Sequence, residues 1–342
     1  MDKPRIAVTM GDVAGVGPEI IVRILGHEDI VGMAQLIVFG SRQILEYAAR
    51  CLGRALPDWL QTAASVKSWR EDNEYHWIYD PPVDAPAHQS LDPRRTEDPT
   101  AASAAVGWIR AAVQACLVHD VAAVVTCPIN KAAMHKAGIN YPGHTELIAE
   151  LCGAEDYRMC LFTDQWRIVH NTGHVSLRGA LDAVRRERII RTIHVGWDAL
   201  RRMQIPGAHI AVAGVNPHAG EGGLFGTEEA EEIAPAIETC RAEGIPCSGP
   251  YPPDTVFRRM VLGEFSMVIA MYHDQGHIPL KLIAMDKGVN VTLGLPIVRT
   301  SVDHGTAYDI AYRNKADERS LCAAIRLAVQ LATPAAARHT IA

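Results

Sequence analysis

Short β-branched runs alternate with longer amphipathic segments through most of this chain, and that rhythm leaves few architectures open. "RIAVTMG", "AQLIVFG", "VAAVVTCP", "RIVHNTG", "HIAVAGVNP" and "SMVIAMY" read as strands. "PEIIVRILG", with Pro18 in its first turn, reads as a helix. So do "TAASAAVGWIRAAVQACLVHD", "AEEIAPAIETCRAEG" and the terminal "SLCAAIRLAVQLA". The alternation predicts an α/β fold, a largely parallel sheet covered by helices. Polar loops after such strands lie at the carboxyl edge, where folds of this class bind ligands.

With 342 residues, 48% of them hydrophobic, the chain can build a large core in two domains or lobes. Charged residues are 21% and the net charge is -6. Nothing basic suits a nucleic-acid backbone or an anionic membrane, so neither is expected as a partner. "MDKPRIAVTMGD" enters a strand without the apolar core of a signal peptide. No apolar run reaches the roughly 18 residues of a membrane span, and the expected location is the cytoplasm. Eight cysteines form no C-x-x-C pair and mostly have apolar neighbours. They are expected as buried free thiols in a reducing compartment. The Pro- and Asp-rich stretch from Asp80 to Thr100 is expected as a surface excursion, and the tail "ATPAAARHTIA" as frayed.

Fifteen histidines are many for this length, and several sit where a strand pattern ends. His174 follows "RIVHNTG", His218 lies in the glycine-rich "GVNPHAGEGG", and His273 follows "SMVIAMY". His170 and His174 are spaced i, i+4, but the strand and Gly173 argue against a helix, so only His174 is expected to face a site. Three imidazoles that converge from strand ends suit a divalent ion with an open position, zinc first, with magnesium, manganese, cobalt or nickel also suited. The alternative is three satisfied histidines at strand ends. In "YPGHTE", His144 and Thr145 at a helix start suit a phosphate, or else form a plain cap with a surface histidine. Lys281, Asn290 and Arg299, among the apolar residues of 280–309, form the local cluster an anionic substrate needs despite the acidic total. "GDVAGVGPE" is not a nucleotide fingerprint, because Ile20 stands where G-x-G-x-x-G needs glycine, and it reads as a tight turn feeding a helix.

Together "TCPINK", "GHTE", "NPHAGEGG", "GPYPPDT", "YHDQGH" and "VNVTLGLPIVRTSVDHGTA" resemble the 4-hydroxythreonine-4-phosphate dehydrogenase family, from Arg5 to about Val329. The resemblance implies a fold of the isocitrate/isopropylmalate dehydrogenase type. One lobe, 1–128 with 300–342, would hold both chain ends, and 129–299 would hold the metal site and dimer contacts. It implies a homodimer with a shared active site and a metal held by His174, His218 and His273, the last from the partner subunit. It implies substrate contacts from His144, Thr145, Lys281, Asn290 and Arg299. "DHGTAYDIA" resembles the family's cofactor loop, so His304, Gly305, Thr306 and Ala307 would bind NAD, or NADP, without G-x-G-x-x-G.

The chemistry so implied is oxidation of the 3-hydroxyl of a four-carbon hydroxy acid phosphorylated at carbon 4, then loss of carbon dioxide. Asp254, Asp274 and Lys281 are the candidates for positioning polar groups or moving the proton. The first substrate is 4-phosphohydroxy-L-threonine, as in vitamin B6 biosynthesis. The alternative is D-threonate or D-erythronate 4-phosphate, giving dihydroxyacetone phosphate, and "HDQGHIPLK" reads more like that branch. Val13 stands where the family usually has proline, and "YRNKADE" replaces a glycine-containing stretch. The His-Thr of "GHTE" sets the chain apart from a branch that oxidises unphosphorylated aromatic dihydrodiols. Two other classes compete: a phosphate-binding acyltransferase on the same fold, which needs no metal histidines, and a non-catalytic metabolite sensor.

Overall fold

The computed structural model describes residues 3–81, 91–163, 165–284 and 288–332. Much of the expected Pro- and Asp-rich excursion and nearly all of the tail lie outside the described residues. In chain order the strands are β1 Arg5–Thr9, β2 Gln35–Phe39, β3 Leu60–Thr62, β4 His76–Tyr79, β5 Ala123–Thr126, β6 Arg158–Phe162, β7 Arg167–His170, β8 Ile210–Ala213, β9 Cys247–Tyr251, β10 Met267–Ala270, β11 Val289–Leu293 and β12 Val298–Val302.

The chain forms two compact units, one from residues up to Glu155 and from Leu295 onward, the other Asp156–Gly294. The sequence placed the boundaries at 128/129 and 299/300. Contacts move them because helices Lys131–Lys136 and His144–Leu151 pack on Pro99–Leu117 of unit one, and β12 pairs with β5. Arg299 therefore belongs to unit one.

Unit one orders its strands β3-β4-β2-β1-β5-β12, all parallel. Every residue of β2 and β5 is buried, as expected for central strands covered on both faces. Unit two orders its strands β11-β6-β7-β10-β8-β9. β7, β10, β8 and β9 run parallel, while β6 is antiparallel to both β7 and β11. All eight cysteines are free thiols, and burial pushes that of Cys116 up to about 12.

The sequence pattern missed β3, β4, β6 and β9, each of at most five residues. It also missed several helices, among them Arg186–Arg202 and His273–Ala284. The last of these contains both Gly276 and Pro279, residues that ordinarily argue against a helix.

Candidate active site

In unit two, strand register decides which histidines meet. β10 pairs with β7 so that Ala270 lies opposite His170. Asn171 N donates to Ala270 O at 2.7 Å, and Thr172 Oγ1 to Met271 O at 2.9 Å, which carries the two chains forward together. The residues just beyond both strand ends therefore emerge side by side. His174 and His273 have ring centroids 5.3 Å apart. His273 is not in a loop, as expected, but opens the helix His273–Ala284. Buried Gln275 fixes that opening: its Oε1 accepts from Met271 N at 2.6 Å and its Nε2 donates to Gly214 O at 2.8 Å.

The helix places His273, His277 and Lys281 at i, i+4 and i+8, on one face. The rings of His273 and His277 stack at 3.7 Å with planes 10° apart. His277 Nδ1 lies 3.0 Å from Nε2 of His170, and His170 Nδ1 lies 3.1 Å from Met159 O. His170 thus faces the same cluster as His174, contrary to the expectation that only one of that pair would. Burial pushes the pKa of His170 down to about 3 and that of His277 to about 4, with neighbouring histidines adding to the effect.

Asp274 Oδ1 is 2.6 Å from His273 Nδ1. A carboxylate only accepts, so Nδ1 carries the proton and Nε2 of His273 keeps its lone pair, the state a metal ligand needs. Asp274 and Asp254 are both exposed, and both line an apolar groove of about 630 Å³ between helices Val256–Val261 and His273–Ala284. Its other walls include Phe257, Val261, Ile278, Leu282 and Ile283, a poor lining for a small anion.

His218 is exposed in the turn Pro217–Gly223, where residues 218–222 all have positive φ. Buried Glu229 holds this strained run by accepting from the backbone N–H of Val215 and Asn216 at 2.7 and 2.8 Å. A Cβ on Gly214 would lie 2.9 Å from Ala219, so the turn is as closely packed as its glycines suggested. Among the described residues of one chain, no three or more His, Cys, Asp or Glu side chains are placed to hold a metal ion. The His174–His273 pair is assembled, and His218 does not complete it. Asn290 is half-buried on β11, opposite Leu161 of β6.

In unit one, Arg299 on β12 is 3% exposed and its Nη2 donates to Thr126 Oγ1 at 3.0 Å. Burial pushes the guanidinium pKa down to about 10, with Glu146 opposing the shift. His144 is the first residue of the helix His144–Leu151, with Thr145 next and Gly143 before it. Burial and the charge of Arg299 push its pKa down to about 3, so the ring is neutral. It hydrogen-bonds the backbone of Cys127, while Nε2 is buried with no hydrogen-bond partner. A ring whose Nδ1–H donates to a carbonyl leaves Nε2 as an acceptor.

The glycine turn of "GDVAGVG" is a close backbone approach, because a Cβ on Gly11 would lie 2.3 Å from Pro128 O. Asp12, 1% exposed, accepts from Ala14 N at 2.9 Å and from the Tyr308 hydroxyl at 2.5 Å. Burial raises its pKa, and burial also raises that of Tyr308. Val16 N donates to Thr306 O at 2.9 Å. The segment His304–Ala307 is thereby docked on the first loop, with His304 and Gly305 exposed and open space where a Cβ on Gly305 would lie. The unusual "YRNKADE" stretch is tied down too. Buried Glu19 accepts from Tyr312 N at 2.7 Å, and Tyr312 and Asn314 take the left-handed conformation. Tyr312 donates its hydroxyl to Val13 O.

Sequence reasoning gave no role to His170, His277, Gln275, Glu229 or Tyr308. The i, i+4 spacing of His273 and His277 was a usable signal once the segment is read as a helix.

The family model described as "Pyridoxal phosphate biosynthetic protein PdxA" matches residues 32–328. D-threonate 4-phosphate dehydrogenase of Salmonella typhimurium is 44% identical over 332 residues, 97% of this chain and 100% of that protein. 4-Hydroxythreonine-4-phosphate dehydrogenase of Trichlorobacter lovleyi is 41% identical over 335 residues, 96% of this chain and 98% of that protein. The crystal structure of 4-hydroxythreonine-4-phosphate dehydrogenase from Klebsiella pneumoniae superposes with a TM-score of 0.84 at 44% identity, covering 97% of this chain and 100% of that one. The expected resemblance and α/β fold class hold, and among the described residues no helix is long and apolar enough to cross a membrane. This chain belongs to the PdxA family of dehydrogenases and is an oxidoreductase that acts on a CH–OH group.

Proposed function

We propose that the protein oxidises the 3-hydroxyl of a four-carbon hydroxy acid 4-phosphate, with D-threonate 4-phosphate as the first substrate and 4-phosphohydroxy-L-threonine as the second. The order follows the curated sequence relatives, named for the first at 44% identity and for the second at 41%, while a solved structure named for the second is also 44% identical. The phosphorylated class rests on one observation, the buried guanidinium of Arg299 close to His144. A cation taken out of water in this way suits an anion of fixed charge. Neutral His144 offers Nε2 to a substrate hydroxyl or a protonated phosphate oxygen, and Thr145 offers its hydroxyl and a helix N-terminus. Lys281 and Asn290 are further substrate contacts in this reading.

When bound, a divalent ion supplies Lewis acidity and a nicotinamide dinucleotide supplies the oxidant. His174 and His273 fit the ion, because Asp274 fixes the tautomer of His273. Asp274 is then an orienting group and not an acid–base. His304–Ala307 fit the cofactor as an exposed loop clamped by Asp12 and Tyr308. Whether the cofactor is NAD or NADP turns on the neighbouring "YRNKADE" stretch.

The meeting of His174 and His273 without His218 supports a homodimer in this reading. We assign the third ligand, His218, to a second copy of the chain, in place of the expected sharing of His273. His174 and His273 already meet within one chain, and the strain stored around His218 suits a side chain held out for use. The apolar groove beside Asp274 supplies a surface for that copy. Steady-state assays with both phosphorylated acids, NAD and NADP, with and without zinc, test the reading. Reduction of the nicotinamide that needs both the phosphate and the ion supports it, and turnover of dephosphorylated acids at equal efficiency overturns it.

A further inference from the structure

We propose that His277 contacts the substrate, accepting a hydrogen bond from its carbon-2 hydroxyl, and that buried His170 is the positioning residue that fixes His277 in the required tautomer. The inference rests on the hydroxy-acid 4-phosphate reading above.

The tautomers follow from partners that can act in only one way. Met159 O is a carbonyl and only accepts, so His170 Nδ1 carries a proton. Nε2 of neutral His170 is then an acceptor, and it lies 3.0 Å from His277 Nδ1. His277 Nδ1 is also 3.3 Å from the His273 carbonyl oxygen. Both neighbours call for N–H at that position. Neutral His277 is therefore left with a lone pair on Nε2. Space for the contact depends on Gly276, because a Cβ there would lie 2.6 Å from His170 Nε2. His170 is fully buried, so solvent cannot take its place.

His277 is not a second ligand to an ion on His273. Ring planes only 10° apart at 3.7 Å give in-plane lone pairs that run alongside one another and do not converge. What remains for Nε2 is a hydrogen-bond donor next to the ion. In a substrate whose 3-hydroxyl is held at the ion, the adjacent donor is the substituent on carbon 2. A neutral acceptor suits a hydroxyl there. An ammonium would meet the ion and Lys281 on the same helix face, while the carboxylate of Asp274 is committed to His273.

Selective ¹⁵N labelling of histidine in the full-length protein, as purified and with zinc chloride added, reads the tautomer. We expect His277 as the Nδ1–H form, with the Nε2–H form gaining population in His170→Phe, where only the His273 carbonyl remains as acceptor. In kinetics, His277→Leu keeps the packing and removes the acceptor. We expect kcat/KM for D-threonate 4-phosphate to fall about 10- to 100-fold, with a 2-deoxy analogue changed less than about threefold. His277→Gln, whose amide oxygen accepts, should recover part of the loss. An Nε2–H tautomer in the wild type, or an equal loss on both substrates, overturns the inference. Failure of the wild type to turn over D-threonate 4-phosphate at all would instead sink the substrate reading, and the carbon-2 contact with it.

Discussion

The two units treat their apolar side chains differently. Of the large hydrophobic residues exposed among the described residues, unit one shows only Tyr75 and Val118. Unit two shows Val175, Leu177 and Leu181 after His174, Leu224 and Phe225 after His218, and Val261, Leu262, Ile278, Leu282 and Ile283 around the groove. Scattered exposed leucines need no explanation, but clusters beside each candidate metal histidine do. Unit one holds the carboxylates of Asp12 and Glu19 inside itself on hydrogen bonds, and leaves His144 Nε2 buried without a hydrogen-bond partner. Unit two brings His174 and His273 together and exposes apolar side chains nearby, a surface that water does not favour. On the proposed reading, unit two is the one that a second chain completes.

The sharpest way to break that contrast is subunit mixing. With His174 and His273 from one chain and His218 from the other, a heterodimer of His174→Ala and His218→Ala keeps one intact site. A heterodimer of His174→Ala and His273→Ala keeps none. We therefore expect activity to return from background toward about a quarter of wild type in an equal, randomly paired first mixture only. Recovery in the second mixture would restore the expectation that the partner supplies His273, and recovery in neither would remove the shared site.

A smaller effect is expected from the groove. Leu282 is 81% exposed, and Leu282→Asp costs little in an isolated chain. In a two-fold dimer each substitution appears twice, and burying two unpaired carboxylates costs about 4 kcal/mol or more, roughly 1000-fold in association. Light scattering should show a dimer for wild type and a monomer for the variant, with loss of metal-dependent activity. A dimer of unchanged affinity would place the contact elsewhere.

Within unit one, Arg299→Met tests the anion site. Losing one member of a desolvated charge pair typically costs about 2–5 kcal/mol, so KM for the phosphorylated substrate should rise about 30-fold or more. Zinc content, which the proposed reading assigns to unit two, should hardly change. Equal loss on a dephosphorylated analogue would show that Arg299 only supports the fold through Thr126.

The sequence made the βα order legible because central strands such as β2 and β5 are continuous apolar runs, which few other structures produce. It also picked out His174 and His273 as strand-end residues, although not the reason they meet, which is the pairing of Ala270 with His170. Register is a long-range property and leaves no local mark. The helix from His273 was hidden by Gly276 and Pro279, and with it the face that carries His277 and Lys281. Short strands such as β3 carry too few residues to show a period. The two-unit division moved because packing of the helix His144–Leu151, not composition, sets the boundary.

The smallest expected effect concerns how unit one keeps itself closed. His76 is 7% exposed at the start of β4, and burial lowers its pKa to about 4. Leu36 N donates to its Nδ1 at 3.0 Å, and the ring also hydrogen-bonds the backbone of Val31. Protonation at Nδ1 would set one N–H against another. The folded pKa lies below the ordinary histidine value of about 6.5, so between about pH 4 and 6.5 the unfolded chain binds a proton that the native one excludes. Stability from this group is present at neutral pH and is lost as pH falls through that window, about 2 kcal/mol of it by pH 5. His76→Asn offers an amide oxygen to Leu36 N and has nothing to titrate. Urea titrations followed by circular dichroism read the stability of the two proteins at each pH. Wild type should lose more stability than His76→Asn between pH 7 and pH 5, since every other titrating group is common to both. Identical losses would mean that the His76 ring takes up its proton in the folded protein without breaking the Leu36 bond, and that unit one is less tightly closed at this edge than the burial of β4 indicates.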